Sequence, residues 1–340
     1  MIDLRRLHML RVVHQQGTVT AAAEALHLTP SAVSHHMREL ARELKIPLLE
    51  PQGRGIRLTP AGRLLIDHAD VLLARWEEAQ AELESYRAGM TGPLRIAGFT
   101  TAISGLIAPA AGRLRHSHPD LLVQVRECDS AESLDLVVAG EVDLAVVEPI
   151  EGGPPPDDAR LEQSPLLEEP HILLVPAEHP LARAESVRLE DAAAENWIVA
   201  DPGTCDHARR VRVLCAAAGF SPRIVHSAIH WPAIWSLVGN GLGVSLVPRL
   251  AEGPAGQAAA VARVPVSSES MPTRRILTCV RRGSRRNPLI DLGIRALEGV
   301  VRDHRSTFRP ADVRADQAGA TALVTAARPG RRGRGGRDAP

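Results

Sequence analysis

Apolar residues at Leu4, Leu7, Leu10 and Val13 recur at helical spacing, and Gly17 closes that run. Thr20 then reads as the cap of a short alanine-rich helix in which Ala22, Ala23 and Leu26 share a face. Small side chains there let a second helix approach closely. Thr29-Pro30 opens a third helix, a cap followed by proline at the first helical position. Its residues sort onto two faces. Val33, Met37, Leu40 and Leu44 form a core stripe, whereas Ser31, Ser34, His35 and Arg38 form a polar one near the helix N-terminus. The segment Pro51-Gln52-Gly53-Arg54-Gly55 and the following Ile56-Arg57-Leu58 predict a hairpin with an arginine held between two glycines. Thr59-Pro60 starts another helix, and no proline follows before Pro93. Along it Leu65, Ala69, Leu72, Trp76, Ala79 and Leu83 alternate spacings of four and three, a coiled-coil seam over about three heptads.

After a hinge at Met90-Thr91-Gly92-Pro93 the pattern changes to alternating short apolar runs and helical segments. Strands are expected at 94–97, 121–125, 143–147, 171–176, 197–200, 223–226, 244–247, 262–266 and 274–280. Helices are expected at about 103–115, 133–139, 204–218, 232–239 and 288–303. The Gly/Pro-rich stretch 152–158 reads as a loop. This is the rhythm of a parallel sheet covered by helices, so the fold class is α/β behind an all-helical start with a wing.

Hydrophobic residues make up 44% of the 340-residue chain and charged residues 24%, enough for a sizeable core. Aromatics are only 2%, so aliphatic side chains must fill that core. No run approaches the roughly eighteen apolar residues of a membrane span, and the N-terminus lacks a signal-peptide pattern. A cytoplasmic protein is expected, with no membrane partner. The formal net charge is zero, so any affinity for nucleic acid must come from a local patch. Residues 1–58 hold eight Arg or Lys against five Asp or Glu, and Arg5, Arg6, Arg38, Arg54 and Arg57 are candidates to share one side. The four cysteines show no C-x-x-C spacing, so no metal site or cofactor is implied. From Arg305 onward eight arginines stand against three aspartates in low-complexity sequence, which reads as a disordered basic tail.

A polar face at a helix N-terminus beside an arginine-tipped hairpin is what the major groove and the adjacent backbone require. The alternative is the solvated face of a small bundle. Gly17-Thr18-Val19-Thr20-Ala21-Ala22-Ala23, Leu28-Thr29-Pro30-Ser31-Ala32-Val33-Ser34 and Arg57-Leu58-Thr59-Pro60-Ala61-Gly62 resemble the LysR-type transcriptional regulators. The likeness runs to about residue 304, through Gly140-Glu141-Val142-Asp143-Leu144-Ala145 and Gly241-Leu242-Gly243-Val244. His35, His36, Ala41, Leu49 and Pro51 depart from the residues usual there. The resemblance implies a winged helix-turn-helix over residues 1–59 and a linker and dimerisation helix over 60–89. It further implies a regulatory domain like a type 2 periplasmic binding protein, with lobe I over 92–164 and 267–304 and lobe II over 165–266; the tail is 305–340. It implies an interrupted dyad DNA site, a homodimer or homotetramer, a small-molecule effector between the lobes, and RNA polymerase as a candidate partner.

The DNA-contacting candidates are Thr29, Pro30, Ser31, Ser34, His35, Arg38 and Arg54. In open α/β sheets ligands sit beyond the carboxyl ends of strands, near helix N-termini, which suit an anion. The effector-contacting candidates are therefore Thr100, Thr101, Ser104 and Asp129 in one lobe and Pro202 and Thr204 in the other, where family members commonly meet their inducer. Thr100 and Thr204 read equally as plain helix caps. His230, Trp231 and Trp235 are further candidates. A thiol redox switch through Cys205 and Cys215 is the alternative mode of control, although ten helical residues span about 15 Å, more than a disulfide bridges. No Gly-rich phosphate loop, G-x-S-x-G elbow or H-E-x-x-H motif occurs, so catalysis is not expected.

Overall fold

The computed structural model describes residues 3–53, 55–85, 92–201, 206–254, 256–257, 259–267 and 273–307. Arg54, Pro202, Thr204, Cys205 and the basic tail from residue 308 therefore lie outside the described residues. The chain divides into two units, Met1–Glu169 with Arg274–Arg302, and Pro170–Thr273 with the C-terminal remainder.

The first unit begins with α1 (Leu4–Gln16), capped by Asp3 and ended by Gly17 in the left-handed region at φ 67°. The next helix, α2 (Val19–Ala25), is capped by Thr18, whose side chain accepts from the Ala21 amide, and not by Thr20 as the sequence suggested. In α3 (Pro30–Leu44) Thr29 accepts from the Ala32 amide and Pro30 occupies the first turn. A hairpin of β1 (Leu49–Gln52) and β2 (Gly55–Leu58) follows, then the 26-residue α4 (Pro60–Ser85). Leu7, Leu10, Val13, Val33, Leu40 and Ala69 meet in the buried core of this part. Gly62 lies in the first turn of α4 against the Leu48 carbonyl, so close that a Cβ there would collide with it.

The coiled-coil seam expected on α4 is divided by its packing. Leu65 and Ala69 face the core of their own chain. Leu72, Trp76 and Leu83 remain 52%, 48% and 62% exposed. Further along, α4 packs on the turn Ser284–Arg286, and Gly283 at φ +91° lets that turn approach the Ala74 backbone.

The rest of the first unit is one five-stranded sheet in the order β4-β3-β5-β12-β6. It comprises β3 (Leu94–Gly98), β4 (Val123–Glu127), β5 (Leu144–Val147), β6 (Leu161–Glu169) and β12 (Arg274–Arg281). β3 runs parallel to β4 and β5, whereas β12 runs antiparallel to β5 and β6, so the sheet is mixed and not the parallel one expected. The sequence pattern did not show β6, because its apolar alternation is broken by Pro165. The register shifts at that point, between Ile276 and Leu277 on β12, and a bulge is where a strand tolerates proline. The sheet is accompanied by α5 (Thr100–Ala102), a π-helical turn (Ile103–Ile107), α6 (Ala108–Ser117), α7 (Ser130–Ala139) and α10 (Pro288–Thr307).

In the second unit β7 (His171–Pro176) pairs antiparallel with β10 (Ser245–Pro248) and β11 (Val261–Pro265). β8 (Asn196–Ala200) pairs parallel with β9 (Arg223–Ala228). α8 (His207–Ala217) and α9 (Trp231–Gly239) complete it, around the fully buried Trp197, Leu173 and Leu246. Among the described residues no helix is long and apolar enough to cross a membrane.

Candidate DNA interface and effector site

The cap and proline at the start of α3 aim its free amide groups and first turns outward. Thr29, Pro30, Ser31, His35 and Arg38 are exposed and Ser34 is half-buried, while Val33, Met37 and Leu40 are buried on the opposite face. Thr29 Oγ1 lies 3.0 Å from Ser31 Oγ. Arg38 Nε donates to the Ser34 carbonyl at 3.3 Å, and its guanidinium pairs with no carboxylate among the described residues. Hydroxyls, an imidazole and an uncompensated guanidinium thus share one helical face near a positive dipole end.

The wider basic side expected from the sequence is reduced. Arg6 pairs with Glu43 at 2.7 Å and Arg57 with Glu50 at 2.7 Å, so both charges are largely compensated inside the domain. Arg5 lines a cavity beside α4 and α7. Of the four described arginines, Arg38 remains for a groove, and Arg54 lies outside the described residues.

The candidate effector residues of the first unit gather at the carboxyl ends of β3 and β4. Thr100 Oγ1 donates to Glu127 Oε1 at 2.5 Å. Ser104 is exposed, and its hydroxyl bonds the Thr100 carbonyl at 3.2 Å. Asp129 caps α7 by accepting from the Glu132 amide at 2.8 Å. The helical cap before Thr100 is Phe99, without a side-chain bond, so Thr100 is not the cap. Thr101 is buried, and its hydroxyl accepts from Arg274 Nη2 at 2.8 Å. That hydroxyl is thus a tie between elements.

Arg274 is the residue the sequence did not single out. It is 5% exposed, donates from Nε to Glu169 at 2.7 Å, stands 3.0 Å from Glu148 Oε1, and lies 4.8 Å from the centre of the Phe99 ring. Its partners are up to 173 residues away in sequence, and no motif announces such a cluster. Glu148 and Glu169 thus share the one guanidinium of Arg274, while Glu127 is engaged by Thr100 and Asp129 by the Glu132 amide.

In the second unit His207 is buried, with Nδ1 accepting from the Ala200 amide at 2.9 Å and Nε2 donating to the Leu246 carbonyl at 2.7 Å. Trp231 meets the His207 ring edge-on at 5.2 Å. Trp235 is buried among Ile234, Val238 and Val247, a core position and not a ligand wall. His230 is exposed at the cap position of α9. Burial pushes the Cys215 thiol up to about 12, so Cys215 is not itself a thiolate near neutral pH; Cys205, the other half of the expected switch, lies outside the described residues.

Two family models match this chain. The one described as "Bacterial regulatory helix-turn-helix protein, lysR family" covers residues 4–63, and "LysR substrate binding domain" covers residues 87–302. The chain is 29% identical over 250 residues to a probable RuBisCO transcriptional regulator of Cyanophora paradoxa, covering 72% of this chain and 76% of that protein. It is 26% identical over 252 residues to the HTH-type transcriptional regulator AlsR of Bacillus subtilis, covering 74% and 82%. A full-length OxyR variant from Pseudomonas aeruginosa superposes with a TM-score of 0.61 at 24% identity, covering 87% of this chain and 95% of that one. Full-length CbnR in complex with its target DNA gives 0.50 at 21% identity, covering 88% and 99%.

Proposed function

Because the chain belongs to the LysR family of transcriptional regulators, with a helix-turn-helix and an effector-binding domain, we propose that α3 enters the major groove and that Thr29, Pro30, Ser31, Ser34, His35 and Arg38 meet the DNA. The observation that carries this is the division of α3 into a buried apolar face and an outward polar face that starts at a capped N-terminus. The wing supplies Arg54 to the flanking backbone. Two copies, paired through α4, read the two halves of an interrupted dyad.

Gel-shift titration against an operator fragment, mapped by footprinting upstream of its own gene, tests the reading. Ser34→Ala and Arg38→Ala are each expected to weaken binding by about tenfold, the value of one good groove contact. Thermal unfolding should not move. Unchanged affinity in both variants would overturn these contacts.

The dimer reading rests on Leu72, Trp76 and Leu83, large apolar side chains left about half exposed or more on one helix. Trp76→Glu is expected to weaken self-association at least tenfold, roughly the effect of placing a charge in an apolar seam. Sedimentation velocity reads it, and a sedimentation coefficient equal to that of the parent would move the interface elsewhere.

We further propose that the effector contacts Thr100, Ser104 and Asp129 in the first unit and Pro202 and Thr204 in the second, with Thr101 acting through Arg274. The carboxylates around Arg274 favour an effector that brings hydrogen-bond donors to the first unit. An anionic group would depend on the amides of the helix that starts at Thr100.

A further inference from the structure

A half-open cavity lies within the first unit, away from the carboxyl ends of β3 and β4. It is a cavity of about 450 Å³ bounded by α1, α4, the C-terminal end of α7, and residues 159–160 and 281–282. Its size falls in the range of small-molecule sites. Its apolar lining includes Leu4, Met9, Leu73 and Val138. Its charged lining is mainly cationic. Arg5, Arg11, Arg160, Arg281 and Arg282 line it against only Asp70 and Glu77.

Most of those charges are already committed. Arg281 is held by Glu77 at 2.9 Å and by the Val137 and Val142 carbonyls. Arg160 is held by Asp158 at 2.7 Å. Arg5 pairs with no carboxylate among the described residues. The decisive observation is deeper. Arg11 and Asp70 are each more than nine-tenths buried, yet Arg11 Nε and Asp70 Oδ1 have no hydrogen-bond partner. Arg11 Nη1 reaches only to 3.5 Å from Asp70 Oδ1, because Nη2 is drawn to His8 Nδ1 at 2.8 Å and to the Val138 carbonyl at 3.1 Å. A buried donor and a buried acceptor without partners beside an open space are costly unless something fills them.

We propose that this cavity binds a small amphipathic organic anion. Its apolar body lies against Leu73 and Met9, its acidic group faces Arg5, and a donor and acceptor on it satisfy Asp70 Oδ1 and Arg11 Nε. The ligand touches both the helix-turn-helix (α1) and the regulatory part (α7), which Arg11 already joins through the Val138 carbonyl. Occupancy therefore favours the docked arrangement over any arrangement that separates these elements. The binding itself stands on this geometry; only its consequence for DNA rests on the regulator reading above.

The probe is 8-anilino-1-naphthalenesulfonate, an amphipathic anion whose emission brightens in apolar surroundings. It is titrated into the full-length protein in its own oligomeric state. One saturable site per chain is expected, with slowed hydrogen exchange at residues 8–13, 70–77 and 138–142. Ala74→Phe, on α4, and Ala159→Phe, in the segment before β6, each place a ring at the cavity lining, and each is expected to weaken the probe at least tenfold. Arg5→Glu, on an exposed side chain, is expected to do the same without touching the packing. Thr100→Ala should leave the probe's affinity unchanged. Absence of saturable binding, unaltered affinity in both filled variants that retain the parent's melting temperature and in Arg5→Glu, or protection confined to residues 98–104 would overturn the site. Unchanged operator binding in Ser34→Ala and Arg38→Ala would overturn the DNA contacts and leave this site intact, which separates its failure from that of the DNA reading.

Discussion

Replacing Arg274 with methionine is expected to cost the first unit roughly 3–5 kcal/mol, the usual penalty for removing one partner of a buried ion pair. The guanidinium is 5% exposed, and its partner Glu169 is 2% exposed. Methionine keeps most of the volume and removes the charge. Glu169 then keeps a buried carboxylate without the bond of 2.7 Å that compensates it, Thr101 loses its donor, and Phe99 loses the cation beside its ring. Urea denaturation followed by far-ultraviolet circular dichroism reads the loss as a lower midpoint. The double variant Arg274→Met with Glu169→Leu should recover most of it, because a buried pair replaced by apolar groups of similar volume is often neutral. A single variant as stable as the parent would mean that the cluster contributes nothing. A double variant as weak as the single would place the cost in packing and not in charge.

The same residue shows where sequence reading stops. The caps at Thr29 and Thr59, the stop at Gly17 and the two faces of α3 are local features, set by residues within a few positions of one another, and they were legible. So was the alternation of strands and helices behind α4. Thr18 displaced Thr20 as a cap because both are threonines in the same turn, and only the entry angle of the chain decides between them. β6 was hidden because a half-buried strand with a proline bulge has neither a clean period of two nor a continuous apolar run. The seam on α4 was legible as a period, but a period does not say what covers it. Leu65 and Ala69 are claimed by the domain that precedes them, and only the later turns stay open. Arg274, Glu148 and Glu169 belong to three separate strand ends, so their meeting depends on the placement of β12 between β5 and β6.

The candidate sites divide along the same line. On α3 the reading of a polar face needs only helical periodicity, and the structure leaves that face outward. At the effector residues the types were legible but their engagements were not. Thr101 is occupied by a buried guanidinium, and Thr100 by a carboxylate across the strand ends. The carboxylates that engage these residues come from the ends of β4, β5 and β6, which no single stretch of sequence displays.

Acidification from pH 6.5 towards pH 4 is expected to destabilise the first unit by up to about 3 kcal/mol through His8 alone, at about 1.4 kcal/mol per pH unit. Burial, and then the neighbouring charges of Arg11 and Arg281, lower the His8 pKa from 6.5 to about 4. The folded chain therefore holds His8 neutral, with Nδ1 accepting from Arg11 at 2.8 Å. The unfolded chain takes up the proton first as pH falls, so stability is full above about pH 6.5 and declines down to about pH 4. A protonated ring would also turn a donor towards the guanidinium that reaches the Val138 carbonyl, which loosens α1 from α7. The other charged groups around this space are Arg5, Arg160, Arg281, Arg282, Glu77 and Asp70. Asp70 acts in the opposite sense. Burial raises its pKa, so the folded state takes up that proton at a higher pH than the unfolded one and regains part of the loss. His8→Gln retains an acceptor for Arg11 and cannot titrate. Its denaturation midpoint should stay flat, or rise slightly, over the range in which the parent declines. If the variant lost stability in parallel with the parent from pH 6.5 to pH 4, the acid sensitivity would lie in another group, and the neutral His8–Arg11 bond would not be what holds α1 in place.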